Sequence, residues 1–203
     1  MNRRLINLIA GIAITFFVFL GLLVRFSPEA LTGVDTSVQT LIRGNLPAIL
    51  TRFFKGITFL GNTSTQIVIL LVLASLLYLK HYKKEALYLI SNGILAALFI
   101  VSLKYFFQRP RPSISHLVEA NGYSFPSGHS LGMMLILGSL IVISCRLLTS
   151  KKLAYGLSVI LGLLILLVGI SRIYLGVHYP TDVVAGFAIG FAVLTVTTSY
   201  YKR

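Results

Sequence analysis

At 203 residues the chain could hold one or two soluble domains, but 56% of it is hydrophobic and only 11% charged, where a soluble domain is roughly a quarter charged. The apolar residues run in blocks of about 18 or more, which excludes a water-soluble fold and marks membrane spans. A formal net charge of +13 would suggest nucleic acid on a soluble protein; here the cations sit between apolar blocks, where orientation in a bilayer and anionic lipid explain them.

The pattern predicts an all-α integral membrane bundle of six transmembrane helices, one domain over residues 1–203, with short interfacial helices between spans one and two. Residues 5–24 form an uncharged first span behind Arg3 and Arg4. It is read as uncleaved, because the run exceeds a signal-peptide core and no Ala-x-Ala site follows. Residues 25–57 are amphipathic. Asp35 is expected to cap a short helix carrying Val38, Leu41 and Ile42, stopped by Gly44 and Asn45. Pro47 is expected to open a second with Ile49, Leu50, Phe53 and Phe54. Both are predicted to lie flat, with Arg43, Arg52 and Lys55 toward headgroups, as simple packing or as the rim of a substrate entrance.

The remaining spans are predicted at 58–79, 86–104, 128–146, 152–170 and 183–201, with tight basic loops around Lys83 and Lys151. Tyr78, Tyr82, Tyr88, Tyr200 and Tyr201 read as an inner aromatic belt, and Tyr105, Phe106 and Phe107 as an outer one. The single cysteine, Cys145, reads as a small packing residue. Six spans put both termini on one side, with ten cations there (Arg3, Arg4, Lys80, Lys83, Lys84, Arg146, Lys151, Lys152, Lys202, Arg203) against one acid, Glu85. The positive-inside rule makes that side cytosolic. All the polar clusters then fall on the external face.

Three clusters could carry chemistry. Lys104 ends span three, and Arg111 follows on a stiff stretch, since Arg109 and Arg111 each precede a proline. Two cations so held suit an anion; the plainer reading is anchoring to lipid. Pro126-Ser127-Gly128-His129 opens span four. A helix start offers free N–H groups, Gly128 permits close approach, Ser127 adds a hydroxyl and His129 a titratable ring; the plainer reading is a serine cap beside an interfacial histidine. Ser171-Arg172 precedes His178 and Asp182, which share a face if helical and can hydrogen-bond. A carboxylate on Nδ1 would leave Nε2 a free nucleophile; a structural His–Asp pair is the alternative. Arg109 reads as an interfacial anchor, His116 as a loop residue and His81 as part of a cytosolic basic loop.

Together, Lys104-x6-Arg111-Pro112, Pro126-Ser127-Gly128-His129 and Ser171-Arg172-x5-His178-x3-Asp182 resemble the three-block signature of the type 2 phosphatidic acid phosphatase family. Every signature position is filled, in order, between Lys104 and Asp182. The resemblance implies a membrane lipid-phosphate phosphatase with His178 as nucleophile forming a phosphohistidine, Asp182 orienting it, and His129 as acid and then base. It implies that Lys104, Arg111, Ser127, Gly128 and Arg172 bind the phosphate. The length and short loops look like bacterial members, so phosphatidylglycerol phosphate is the first expected substrate, undecaprenyl diphosphate the second, and phosphatidic acid a side substrate. The bilayer is the expected partner, with no nucleic acid and no obligate protein partner. Five acids in the chain, one of them at the site, do not suit a two-metal carboxylate centre, so no metal or cofactor is expected. A non-catalytic phosphate channel or lipid transporter would need neither paired histidines nor Asp182. A vanadate-dependent peroxidase, whose anion pocket the family shares, would not need a membrane.

Overall fold

A computed structural model describes residues 3–201 as eight helices. The basic C-terminal pair, Lys202 and Arg203, lies outside the described residues. α1 (Arg3–Phe26) is followed at once by Pro28, which opens α2 (Glu29–Arg43). Gly44, at φ +49°, turns the chain off α2, and Pro47 starts α3 (Ala48–Phe59). α4 (Thr63–Leu79), α5 (Lys83–Phe107), α6 (Gly128–Leu147), α7 (Lys151–Tyr174) and α8 (Pro180–Tyr201) complete the chain. Five helices (α1, α5, α6, α7 and α8) are long and apolar enough to cross a membrane, and α3 with α4, bent by 51°, makes up to six if counted as one span. Large apolar side chains such as Leu8, Leu98 and Leu163 are exposed on the outside of the bundle, as lipid-facing helices require. The protein is a multi-pass membrane protein.

Several boundaries differ from the expected spans. Span two does not run unbroken from 58: residues 58 and 59 close α3, and α4 starts only at Thr63, after Gly61 and Asn62. α7 continues to Tyr174, so Ser171 and Arg172 stand on its last turn, and Asp182 stands in the first turn of α8. The two short helices between the first spans are present as α2 and α3, but Asp35 caps neither. It lies in mid-α2, on a buried face of Leu31, Asp35 and Gln39, while Leu41 is 82% exposed. The helix thus turns a polar stripe inward, against α7 and α8.

α6 occupies the centre and packs against α5, α7 and α8, with Leu131, Met133 and Leu135 essentially without exposure. α8 comes close to it through glycine. A Cβ at Gly186 would stand 2.7 Å from the Ser127 carbonyl oxygen, and one at Gly190 would stand 2.9 Å from Met134 Cβ. At the opposite end of the bundle, Tyr201 donates to Glu85 Oε1 (2.9 Å) and stacks on Tyr88 (4.3 Å between centroids), while Arg146 covers the Tyr201 ring. Tyr88 and Tyr201 are therefore buried fastenings between α5 and α8, not belt residues; Tyr78, Tyr82 and Tyr200 are exposed as a belt requires. Cys145 is exposed rather than packed inside.

Gly186→Val should force α8 off α6 and lower stability in detergent by about 1–3 kcal/mol. Gly156→Val, at a position with nothing within 4 Å of a new Cβ, is the control and should leave the thermal midpoint nearly unchanged. Equal midpoints for the two variants would show that the close approach is not needed.

Candidate active site

Three segments meet at one end of the bundle. α5 closes with Lys104 in its last turn and Gln108 in the left-handed region (φ +50°), which redirects Arg109-Pro110-Arg111-Pro112 as irregular chain across the helix ends. α6 begins at Gly128 with Ser127 as its cap: Ser127 Oγ accepts from the Ser130 N–H (3.4 Å) and from Ser130 Oγ (3.1 Å). α7 ends beyond Arg172, and Gly176 (φ +81°) turns the chain toward His178 and the start of α8. The Ser127 N–H donates to the Asp182 carbonyl (2.9 Å), which ties the second segment to the third.

The ring of His178 is fixed from both sides. Asp182 Oδ2 lies 3.4 Å from Nδ1, and Arg111 Nη1 lies 3.3 Å from Nε2. A guanidinium can only donate, so Nε2 carries the lone pair and Nδ1 the proton. Burial first, then the charges of Arg172, Arg111 and Lys104, holds the His178 pKa well below the ordinary imidazole value. Both influences favour the neutral ring over the protonated one. Arg111 is itself held by backbone carbonyls: Val177 (2.7 Å), Asn121 (2.8 Å) and Gly122 (3.0 Å). Its pKa is lowered by burial. Lys104 Nζ donates to the Tyr123 carbonyl (2.7 Å). Arg172 Nη1 donates to Thr58 Oγ1 (2.7 Å), while its Nε is buried with no hydrogen-bond partner among the described residues. His129 Nε2 donates to Asn62 Oδ1 (3.2 Å).

A cavity of about 700 Å³ brings together Lys104, Arg111, Gly128, His129, Arg172 and His178. Ser127 and Asp182 stand behind its wall, both fully buried. The cavity continues away from the cations between α4 and α5, where Ile67 and Leu70 face Gly93, Ala97 and Ile100. One end is cationic and polar, the other apolar.

Sequence reasoning missed several partners. Arg109 is no interfacial anchor: its guanidinium bridges Asp182 Oδ1 and Asp35 Oδ2, each at 2.7 Å. Burial opposes its charge, but the charges of Asp182 and Asp35, with their hydrogen bonds, hold its pKa above the ordinary value. Arg43 does not reach outward to headgroups either; it donates to the carbonyls of Tyr174 (3.2 Å) and Ser115 (3.1 Å). His116 is a loop residue that bonds the Pro112 carbonyl. One signal was available for Asp35: Leu31, Asp35 and Gln39 recur every four residues, which is one helix face. Nothing in the local sequence marks Thr58 or Asn62 as partners.

Residues 85–203 match the family model of the PAP2 superfamily. The chain is 29% identical over 195 residues to phosphatidylglycerophosphatase B of Bacillus subtilis, covering 93% of each chain. It is 30% identical over 186 residues to an undecaprenyl-diphosphatase of Sulfolobus acidocaldarius, covering 88% of this chain and 84% of that one. The fold superimposes with a TM-score of 0.84 on the crystal structure of a transmembrane PAP2-type phosphatidylglycerolphosphate phosphatase from Bacillus subtilis, at 26% identity, covering 95% of this chain and 96% of that one.

Gly61 has a stringent steric role. A Cβ there would fall 2.4 Å from His129 Cδ2 and 2.7 Å from Val168 Cγ1. Gly61→Ala should displace the His129 ring and lower phosphatase turnover by at least about ten-fold. Turnover measured beside the parent protein checks this, and an unchanged rate would mean that the ring can yield without loss.

Proposed function

The chain belongs to the PAP2 superfamily, and from that premise we propose that it is a lipid-phosphate phosphatase acting first on phosphatidylglycerol phosphate, through a phosphohistidine on His178. The observation that carries the reading is the Nε2 lone pair of His178, set in a cationic cavity with its opposite nitrogen on a buried carboxylate.

Nε2 attacks phosphorus in line, a new N–P bond forms, and the bond to the lipid oxygen breaks. His129 protonates that oxygen. His129, now neutral, takes a proton from water as the water oxygen attacks the phosphohistidine, releasing inorganic phosphate and restoring both rings. Lys104, Arg111, Arg172 and the Gly128 N–H stabilise the phosphoryl oxygens, with Ser127 contributing its hydroxyl hydrogen. The positive charge that grows on His178 is met by Asp182. The donors around the phosphate are all cations, hydroxyl or N–H groups, which suit an anion and not a metal ion.

Undecaprenyl diphosphate is the second reading, supported by the diphosphatase among the relatives. Its terminal phosphoryl group presents the same oxygens to the same donors. In either case the lipid chains would lie in the apolar end of the cavity, between α4 and α5. Ten cations against one acid support cytosolic termini and a site on the external face of a bacterial cytoplasmic membrane.

Phosphate release from a panel of lipid phosphates in detergent, with EDTA present, tests the mechanism and ranks the substrates. Wild type should remain active, and His178→Ala should lose at least about a thousand-fold. Abolition by EDTA, or full activity in His178→Ala, would sink the mechanism. For the orientation, Asn121→Cys in a Cys145→Ser background should react with a membrane-impermeant maleimide on intact cells. Protection until the cells are opened would reverse the topology.

A further inference from the structure

Asp35 lies outside the three blocks and Arg109 at an unspecified position of the first, yet with Asp182 they form a buried charged group. Arg109 Nη2 bonds Asp35 Oδ2 and Nη1 bonds Asp182 Oδ1, both at 2.7 Å. Thr181 donates its N–H to Asp35 Oδ1 (2.9 Å) and its hydroxyl to Asp35 Oδ2 (2.9 Å), and its oxygen accepts from Arg109 Nη1 (2.8 Å). The guanidinium lies 4.0 Å from the centroid of Tyr179. Asp35 and Asp182 are 1% and 0% exposed.

The proposal rests on His178 being the nucleophile. We propose that Asp35 and Arg109 are positioning residues for phosphoryl transfer, holding the Asp182 carboxylate in the orientation that accepts from His178 Nδ1. The division of labour within that carboxylate supports this. Oδ1 is taken by Arg109, so Oδ2 is left to the Tyr179 N–H (2.9 Å) and to His178 (3.4 Å). Without Arg109, a fully buried oxygen would lose its partner and the carboxylate would rotate to find another. Asp35 adds two effects. It satisfies an N–H that the first turn of α8 leaves free, one residue before Asp182. It also shares the charge of Arg109, so that the Asp35–Arg109–Asp182 group keeps one net negative charge beside the imidazole. If Arg109 paired with Asp182 alone, the charge that stabilises a cationic His178 would be cancelled.

Stability does not explain the arrangement. A buried ion pair is commonly no better than apolar residues of similar volume, because desolvation offsets the attraction. Asp35 lies on a short helix whose neighbours could have supplied an apolar contact. Its placement need not add stability, and the benefit we assign it falls on the reaction.

The test measures kcat and KM separately, with thermal midpoints, for Asp35→Asn, Arg109→Lys and the apolar pair Asp35→Leu with Arg109→Met. Asp35→Asn should lower kcat at least about ten-fold with KM within about three-fold of the parent. Arg109→Lys keeps one charge but cannot bridge two carboxylates in plane, so it should recover only part of kcat. The apolar pair leaves the Asp182 carboxylate without its guanidinium, so it should lower the midpoint and stay slow. Recovery of kcat in the apolar pair would reduce Asp35 and Arg109 to structural residues. A raised KM with unchanged kcat in Arg109→Lys would make Arg109 a headgroup contact instead. If the apolar pair does not fold, the two single conservative variants decide on the same kcat and KM criteria. His178→Ala run alongside separates this proposal from the one beneath it: an active His178→Ala overturns the nucleophile, whereas a slow Asp35→Asn beside an inactive His178→Ala upholds both.

Discussion

The site depends on α6 and α8 lying close enough for the Ser127 N–H to reach the Asp182 carbonyl at 2.9 Å. His129 rides on the first of these helices, while His178 precedes the second and Asp182 lies in its first turn. The two histidines are 49 residues apart in sequence, and no local preference of the chain can set their spacing. Packing does it. Gly186 and Gly190 present bare backbone to α6, where any side chain would meet Ser127, Ser130 or Met134 within 3 Å. Small residues at a helix interface are the usual way for membrane helices to approach, since lipid supplies no hydrophobic drive between them. The constraint that places the candidate catalytic groups is therefore a steric one, set along the helices and expressed at their ends.

Charge is layered around that contact. The cavity side of His178 holds Lys104, Arg111 and Arg172; the far side holds Asp182, then Arg109, then Asp35. In the proposed reaction the two layers act on different charges. Negative charge on the phosphoryl oxygens faces the cations, and positive charge on the ring faces the carboxylate. Each developing charge has its complement nearest to it, in surroundings that screen poorly. The same layout favours a neutral ring, since burial and three cations act against protonation while Asp182 faces Nδ1. The arrangement prepares Nε2 without first charging the ring.

What was legible in the sequence was local. The eight candidate site residues lie in three short blocks, and long apolar runs announced the spans that carry them. Six of the eight face the cavity, and the other two, Ser127 and Asp182, back its wall. What escaped was pairing at long range. Asp35 and Arg109 are 74 residues apart, and each alone resembles a common surface feature, a helix cap and a membrane-edge arginine. Tyr88 and Tyr201 show the same limit: an aromatic near a span end suits an interfacial belt, whereas here Glu85 takes the Tyr201 hydroxyl and Thr198 pairs with that of Tyr88. The helices also reach further into the site than the apolar runs indicate, α7 to Tyr174 and α8 from Pro180. Arg172 and Asp182 are costly in lipid but affordable inside the bundle, where the site's own partners satisfy them, so α7 and α8 extend through them.

The break between α3 and α4 shows how far the site reaches into the scaffold. As sequence, residues 58–79 read as one unremarkable span. In the fold, Thr58 takes Arg172, Asn62 takes His129 instead of capping α4, and Gln66 reaches back to the Gly61 carbonyl (2.7 Å). The bent pair turns by 51° across this stretch. A side chain at residue 61 would occupy the His129 ring, so a span that simply continued through it with ordinary residues would exclude the proposed acid from its place. The bend also leaves α4 to start beside the cations and run along α5, so one cavity has cations at one end and apolar side chains at the other. A substrate with an anionic head and apolar chains needs both ends at once. The same irregularity in span two makes room for the histidine and sets the channel beside it, which is why a helix break, ordinarily a cost in a membrane, is tolerated where it lines a cavity.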